Sequence, residues 1–265
     1  MTLEQLIATF GEETGRQMFA QVNAQTNTGG APFPFLKKVS AHGSELGNFG
    51  DFVYGTKTEK DASGNRKIIE KGTNVGKEFE FILVNVSYRY TAWDEAKQKG
   101  KRSNIFTTLD GINTAVDIAT GKPLPATKDE KDAAGWKLNR VNAGLIRKNA
   151  KSKWEPVIWE TAGALYYSLG QVVGKQPSSG LLSGIIKVKT KLGSKGSIQY
   201  PTIDEENSSF EGPLDAKIFE TEKENFMAIS NKMTEYVSAN SKANNTPTAP
   251  ATAPVPGPSE DDVNW

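Results

Sequence analysis

Residues 78–93 read EFEFILVNVSYRYTAW, the clearest strand signal in the chain. Successive side chains of a strand point to opposite faces, so this segment divides into two sets. One face would carry Phe79, Phe81, Leu83, Asn85, Ser87 and Arg89, and the other Glu80, Ile82, Val84, Val86, Tyr88 and Tyr90. The middle is apolar on both faces, as is typical of a long central strand in a barrel or sandwich. The sequence therefore predicts a mainly β protein built around this strand.

Weaker signals on both sides of this strand predict the other elements. Short strand-like segments occupy residues 33–39, 52–57, 104–109, 157–159, 183–192 and 197–203. The turn sequences DASGN at 61–65 and GSKG at 193–196 predict two hairpins. Helical spacing of apolar residues predicts longer helices at 3–22 and 210–237 and short ones at 138–150 and 161–173. The expected fold class is α+β, with helices flanking a β core.

The C-terminal end differs in composition from the rest of the chain. Residues 238–265 hold five of the 13 prolines and few residues that could form a core. We therefore predict a disordered linker and tail after a core domain at residues 1–237. The N-terminal residues show no leader pattern, and no apolar stretch approaches the roughly 20 residues of a membrane span. A cytoplasmic protein without a membrane segment is expected.

The composition excludes several kinds of site. The chain has no cysteine, which rules out disulfides, thiolate metal sites and a cysteine nucleophile. Its single histidine, His42, rules out a site with two imidazoles and disfavours a Ser-His-Asp hydrolase. The acidic run at 204–206 could bind Mg²⁺ in a nuclease, but it lacks a ligand spacing and is more simply solvated surface. We expect no catalytic residue, metal or cofactor, and hence no enzyme.

The net charge of +1 hides an uneven distribution of charge along the chain. Residues 1–200 carry 28 Lys and Arg against 19 Asp and Glu, a net charge of +9. Residues 201–265 carry four Lys and Arg against 12 Asp and Glu, a net charge of −8. A basic body with an acidic end indicates nucleic-acid binding, although chance on a soluble surface would give the same distribution.

Aromatic residues mixed with basic ones form two candidate surfaces for single-stranded nucleic acid. Flat rings stack on unpaired bases while cations contact the phosphates. The first surface comprises Tyr88, Arg89, Tyr90, Trp93, Lys97, Lys99, Lys101 and Arg102. The second comprises Trp136, Trp154 and the six basic residues between them, with no acid: Lys137, Arg140, Arg147, Lys148, Lys151 and Lys153. The alternative is that Tyr88 and Tyr90 fill the core and that the lysines after Trp93 form a solvated loop.

Two further features could bind a ligand. In a strand over 183–192, Lys187, Lys189 and Lys191 would share one face as a cationic stripe, or would protect an edge strand. The chain ends in Glu260, Asp261, Asp262, Val263, Asn264 and Trp265, which together look like a peptide ligand. The acids could engage a basic rim on a partner while the terminal indole enters a pocket. The same acids could instead lie over the protein's own basic groove and compete with nucleic acid.

Together these features resemble the single-stranded DNA-binding proteins of bacteriophages and bacteria. The likeness rests on the basic, aromatic-bearing β core, the Pro-rich linker and the tail EDDVNW, which ends in an aromatic residue. The resemblance implies an OB-fold-like β-barrel core with N- and C-terminal helices. It implies a protein that coats and protects single-stranded DNA in phage DNA replication, recombination and repair, in the host cytoplasm. Its partners would be single-stranded DNA and, through residues 260–265, replication or recombination proteins, and a homodimer is left open.

Two other functions remain as alternatives. A phage structural or scaffolding protein would dock its tail on another virion component and would not prefer single strands to duplex. A recombination nuclease or annealing protein would need Mg²⁺-dependent cleavage or strand pairing.

Overall fold

In the computed structural model, the described residues are 31–40, 42–60, 66–96, 99–107, 114–174 and 184–241. Their strands are β1 (Leu36–Lys38), β2 (Phe52–Tyr54), β3 (Lys57–Lys60), β4 (Arg66–Glu70), β5 (Thr73–Gly76), β6 (Glu78–Asp94), β7 (Lys99–Arg102), β8 (Lys137–Arg147), β9 (Glu155–Thr161), β10 (Ile185–Lys195), β11 (Ile198–Ile203) and β12 (Ser209–Glu211). Their helices are α1 (Lys128–Ala133), α2 (Gly163–Gly174) and α3 (Ala216–Ser241). The predicted helix at 3–22, the turn residues 61–65 and everything after residue 241 lie outside the described residues.

Strand β6 is the centre of a seven-stranded antiparallel sheet whose main order is β11-β10-β6-β8-β9. β7 pairs with the end of β6, and β12 pairs with the start of β10. A second sheet of order β1-β2-β5 and the β3–β4 hairpin complete the strands in this part of the chain. Within the described residues β11 and β9 do not pair with each other, so the large sheet is open. The expected mainly β fold with flanking helices is confirmed.

A β-bulge in β6 changes which side chains share a face. Leu83 pairs with Gly144 and Asn85 with Ala143, so Val84 is an extra residue on β6. Because one inserted residue reverses the alternation, the side chains after it move to the opposite face. We define the first face by Phe79, Phe81, Leu83, Val86, Tyr88 and Tyr90, and the second face by Ile82, Asn85, Ser87, Arg89 and Trp93. The strict alternation expected across residues 78–93 is therefore wrong after position 84.

The first face is covered by the small sheet and by α2. Phe52 of β2 contacts Phe79 and Trp159, with ring centroids 5.3 and 5.7 Å apart. Leu169 and Val172 of α2 are buried in the same cluster. These side chains are almost entirely removed from water, and burial of each large apolar side chain contributes roughly 1.5–3 kcal/mol to stability. They fix β6, β8 and β9 as a rigid platform.

The second face is covered by α3. Its buried side chains, Phe226, Ile229, Met233 and Val237, recur at spacings of three and four residues, as in an amphipathic helix. The carbonyl oxygen of Asn240 accepts a hydrogen bond from the Ile105 backbone at 3.1 Å, which ties the end of α3 to the loop after β7. None of the helices in the described residues is long and apolar enough to cross a membrane.

Several predicted elements are confirmed, and others are of the wrong type or have different bounds. The short helix at 161–173 is α2. The strands that flank each predicted turn pair antiparallel, β3 with β4 and β10 with β11, and the turn between β10 and β11 is at residues 196–197. The predicted helix at 138–150 is wrong, because this segment is strand β8, whose central residues are buried on both faces. The helix predicted at 210–237 is α3, but it begins later, at Ala216, since Phe210 lies in strand β12. It also continues to Ser241, beyond the start of the linker predicted at residue 238. Residues 104–107 contain one isolated bridge, from Phe106 to Tyr88, instead of a strand.

Candidate nucleic-acid interface

Tyr88 and Arg140 lie directly opposite each other on β6 and β8. Both belong to the first face, beyond the area that the small sheet covers. The Tyr88 ring is stacked on Phe106, with centroids 6.3 Å apart and planes 19° apart. The backbone N–H groups of Tyr88 and Phe106 each donate to the other's carbonyl, at 2.7 and 2.9 Å. The position of Tyr88 is therefore fixed by its strand and by a backbone bridge.

Helix α2 brings two more tyrosines to this place. Thr161, the last residue of β9, is opposite Arg140, and α2 begins two residues later at Gly163. The rings of Tyr166 and Tyr167 contact each other edge-to-face at 5.4 Å. Burial raises the pKa of the Tyr166 hydroxyl, the nearby Tyr88 raises it further, and the positive charge of Arg140 opposes this rise. Tyr167 is 69% exposed, the largest exposure among the large hydrophobic side chains of the described residues.

We call these four residues, Tyr88, Arg140, Tyr166 and Tyr167, the tyrosine–arginine surface. Tyr88 and Arg140 were predicted site residues, whereas the tyrosine pair was not, although it lies in the segment 161–173 that was predicted to be helical. Two adjacent aromatic residues on a helix cannot both face the core, because neighbouring positions are about 100° apart. That rule predicts one exposed ring in the pair without deciding between Tyr166 and Tyr167.

Arg140 has an unusual electrostatic position. Its side chain is half-buried, and burial lowers its pKa. The Nε atom is buried without a hydrogen-bond partner, and no carboxylate in the described part of the chain forms an ion pair with it. Two residues further along the same face, Oδ1 of the buried Asn142 also has no partner among the described residues. A partly desolvated cation without a counter-ion favours an anion at the surface above it.

Arg89, on the second face, has the opposite environment. It is 4% exposed, its Nε donates to Glu160 Oε1 at 2.8 Å, and its Nη2 donates to Glu160 Oε2. Burial alone would raise the pKa of Glu160, but the charge and hydrogen bonds of Arg89 lower it to about 2. Arg89 also bonds to Tyr236 of α3. We therefore remove Arg89 from the predicted interface, because its guanidinium is committed to a buried ion pair beneath α3.

Three of the predicted stacking rings lie in the core. Tyr90 and Trp136 are 5% and 7% exposed and pack with Phe106 in a second hydrophobic cluster. Trp154 is 8% exposed, with the guanidinium of Arg147 lying 4.3 Å from its ring centroid. Because a buried ring offers no free face, these three are corrected from stacking platforms to packing residues.

The basic residues of the second predicted surface are spread along β8 and its turn. Arg147 forms an ion pair with Glu80 at 2.5 Å, and Lys137 forms one with Asp132 at 3.3 Å. The turn between β8 and β9 holds three exposed lysines without an ion-pair partner in the described residues: Lys148, Lys151 and Lys153. With Arg140, these are the cations that remain available to an incoming anion.

The lysine stripe on β10 is neutralised by acidic residues. Lys187, Lys189 and Lys191 do share one exposed face, with Ile186 and Val188 buried opposite them. Each lysine, however, has a carboxylate partner: Glu211 at 2.6 Å, Glu78 at 3.0 Å and Glu205 at 3.2 Å respectively. The edge-strand alternative is also wrong, because β10 has strand neighbours on both sides. The stripe is corrected from a phosphate-binding feature to a ladder of ion pairs.

Trp93 and the residues after it lie at the far end of β6. Trp93 is half-buried and belongs to the second face, away from the tyrosine–arginine surface. Lys99, Lys101 and Arg102 lie on β7 and are partly exposed, and Lys101 pairs with Asp94 at 3.6 Å. Lys97 and the tail residues 260–265 lie outside the described residues. The structure thus separates residues that the sequence analysis placed on one continuous surface.

The described residues contain no group of three or more His, Asp or Glu side chains arranged to hold a metal ion. No protein-family model, curated protein or solved structure matches the chain.

Proposed function

We propose that the protein binds single-stranded DNA on the tyrosine–arginine surface. The observation that carries this proposal is the position of Arg140, a half-buried arginine without a carboxylate partner among the described residues, beside three tyrosine rings. Stacking on such rings stabilises an unpaired base by about 1–3 kcal/mol, and the guanidinium attracts the adjoining phosphate. Bases in a duplex are already stacked on both faces, so this chemistry favours single strands.

The exposed lysines of the β8–β9 turn extend the proposed binding path. Arg140 lies on β8 and Lys148 directly follows the end of that strand, eight residues further along the chain, which corresponds to about 26 Å at roughly 3.3 Å per residue. If single-stranded DNA contacts Arg140, Lys148, Lys151 and Lys153, these side chains neutralise about four phosphates. The slope of log affinity against log salt would then be near −3. Affinity would then fall about 50-fold between 50 and 200 mM salt.

The biological role that we propose is coating and protection of single-stranded DNA in phage replication, recombination and repair, without catalysis. The support is the resemblance of the basic aromatic core, the Pro-rich linker and the EDDVNW tail to single-stranded DNA-binding proteins. The proposal includes recruitment of replication or recombination proteins through residues 260–265 and a place in the host cytoplasm. It also includes an OB-fold-like β core, which stays a prediction.

The test is a comparison of single-stranded and duplex probes. We expect the full-length protein to bind a dT 30-mer in low salt, at least tenfold more tightly than a duplex 30-mer, and with the salt dependence given above. Mg²⁺ should cause neither cleavage nor strand pairing. Equal binding of both probes would support a structural or scaffolding protein instead, and Mg²⁺-dependent cleavage or annealing would support an enzyme of recombination. Absence of binding to the 30-mer at low salt would refute the proposal.

A further inference from the structure

Helix α1 lies next to the tyrosine–arginine surface, although the binding path proposed above does not include it. Lys131 of α1 is buried, and its Nζ lies 5.7 Å from the centroid of the Tyr90 ring. Tyr90 follows Tyr88 by two residues on the first face of β6, and the centroids of both rings lie 6.3 Å from that of Phe106. These contacts place α1 at the edge of the proposed site, on the side of Arg140 that is away from the β8–β9 turn.

The exposed part of α1 carries a carboxylate that two lysines share. Asp132 Oδ2 lies 3.2 Å from the Nζ of Lys128, four residues earlier on α1. Its Oδ1 lies 3.3 Å from the Nζ of Lys137, at the start of β8. All three side chains are exposed. Because ion pairs between exposed side chains are weak, another anion can take the place of this carboxylate.

Lys128 lies beside the tyrosine rings. It is on the same side of α1 as Lys131, because residues three apart on a helix are neighbours. The hydrogen bond and charge of Asp132 raise the pKa of the Lys128 ammonium, and the nearby Tyr167 raises it further. Burial and the charge of Asp132 raise the pKa of the Tyr90 hydroxyl, and the positive charge of Lys128 opposes this rise. Lys128 is therefore a cation at the edge of the tyrosine–arginine surface, with Asp132 as its counter-ion.

Lys137 lies on the other side of the sheet. It pairs with Thr91 of β6, the residue after Tyr90. Since successive side chains of a strand alternate and Tyr90 is on the first face, Thr91 and Lys137 belong to the second face. The two lysines that share Asp132 therefore differ in position, because Lys128 is the one next to the tyrosine–arginine surface.

We propose that Asp132 occupies the place of a phosphate on Lys128 and is displaced when a single strand binds. A carboxylate and a phosphate both carry the negative charge that an ammonium attracts, and both accept its hydrogen bonds. Lys128 is then a further phosphate contact, at the end of the binding path opposite to the β8–β9 turn. Asp132 lowers the affinity of the site by competing for this lysine. The inference rests on the proposed function, because it concerns the same surface.

The experiment compares the full-length protein with its Asp132→Asn variant in binding a labelled dT 30-mer, by fluorescence anisotropy at several salt concentrations. Asparagine has nearly the size of aspartate without its charge, so it frees Lys128 for a phosphate. We expect Asp132→Asn to bind about two- to fivefold more tightly in low salt, the range that exposed ion pairs give. The slope of log affinity against log salt should become steeper by about 0.7, the value for one added phosphate contact on a single strand.

Two controls separate the release of Lys128 from the general effect of removing a negative charge. Asp129→Asn removes an exposed carboxylate of the same helix that forms no ion pair within the described residues, and it should leave the slope unchanged. In a Lys128→Gln background, Asp132→Asn should give no gain in affinity beyond that of Asp129→Asn. In a Lys137→Gln background, the full gain should remain.

The outcomes distinguish this inference from the proposed function. Binding that Asp132→Asn does not tighten, an equal gain in Asp129→Asn, or a gain that persists in the Lys128→Gln background would overturn the inference and leave the proposed function standing. A gain that disappears in the Lys137→Gln background would also overturn it. If neither the unmodified protein nor Asp132→Asn binds the 30-mer in low salt, the proposed function is wrong and the inference fails with it. Thermal denaturation should show every variant folded, since each change is at an exposed position.

Discussion

Replacement of Tyr167 by alanine should weaken single-strand binding without unfolding the protein. The ring is 69% exposed and its packing contact is with the neighbouring Tyr166, so its removal leaves the core unchanged. Surface substitutions of this kind usually change stability by less than about 0.5 kcal/mol. Loss of one base-stacking contact costs about 1–3 kcal/mol, which corresponds to about a 5- to 150-fold loss of affinity. The fluorescence anisotropy of a labelled dT 30-mer at fixed low salt measures this loss.

The matched control is Phe219→Ala, which removes an aromatic ring that is 39% exposed on α3, the helix that covers the second face. This variant should bind the 30-mer as the unmodified protein does. Thermal denaturation followed by circular dichroism should show both variants folded. Because the Tyr167 ring carries no charge, its removal should leave the salt dependence of binding unchanged. If Tyr167→Ala binds within twofold of the unmodified protein, the ring does not stack on a base and the proposed site is wrong.

The other predictions concern charge. Arg140→Gln should reduce the slope of log affinity against log salt by about 0.7, the value for one phosphate contact on a single strand; an unchanged slope would exclude a contact between Arg140 and phosphate. Glu160→Gln should cost about 3–5 kcal/mol in urea denaturation, because it leaves the Arg89 guanidinium buried without its carboxylate; a loss below about 1 kcal/mol would show that the pair does not hold α3 on the sheet. Because the pKa of Glu160 is lowered to about 2 from an ordinary 4.5, its contribution to stability should be complete above about pH 5 and disappear as the pH falls toward 2. As the pH is lowered, the urea midpoint should therefore decrease less in Glu160→Gln than in the unmodified protein. An equal decrease in both proteins would contradict this. Deletion of residues 260–265 should preserve or tighten DNA binding and abolish capture of a replication partner, and retained capture would refute the recruitment role.

The sequence was most informative where a pattern was strong and local. The alternation of residues 78–93 predicted the central strand, and the apolar spacing of 161–173 predicted α2. The bulge at Val84 was invisible, because an inserted residue changes the pairing without changing composition. Strand β8 was mistaken for a helix, since a short apolar run buried on both faces has no periodicity that separates the two.

The candidate site depends on contacts between segments far apart in the chain, which composition cannot show. The lysines at 187, 189 and 191 looked like an anion-binding stripe until the fold placed Glu211, Glu78 and Glu205 beside them. Conversely, the charge count could not distinguish Arg89 from Arg140. The fold places Glu160 against the first and no described carboxylate against the second.

The most direct test of the tyrosine–arginine surface is photocrosslinking. The protein would be bound to a single-stranded 30-mer carrying 5-iodouracil and irradiated, and the crosslinked peptides would be identified by mass spectrometry. Stacking of bases on this surface predicts crosslinks at Tyr88, Tyr166 or Tyr167, and their loss in the presence of excess unlabelled dT 30-mer. Crosslinks confined to other parts of the chain, with these three tyrosines unmodified, would contradict it.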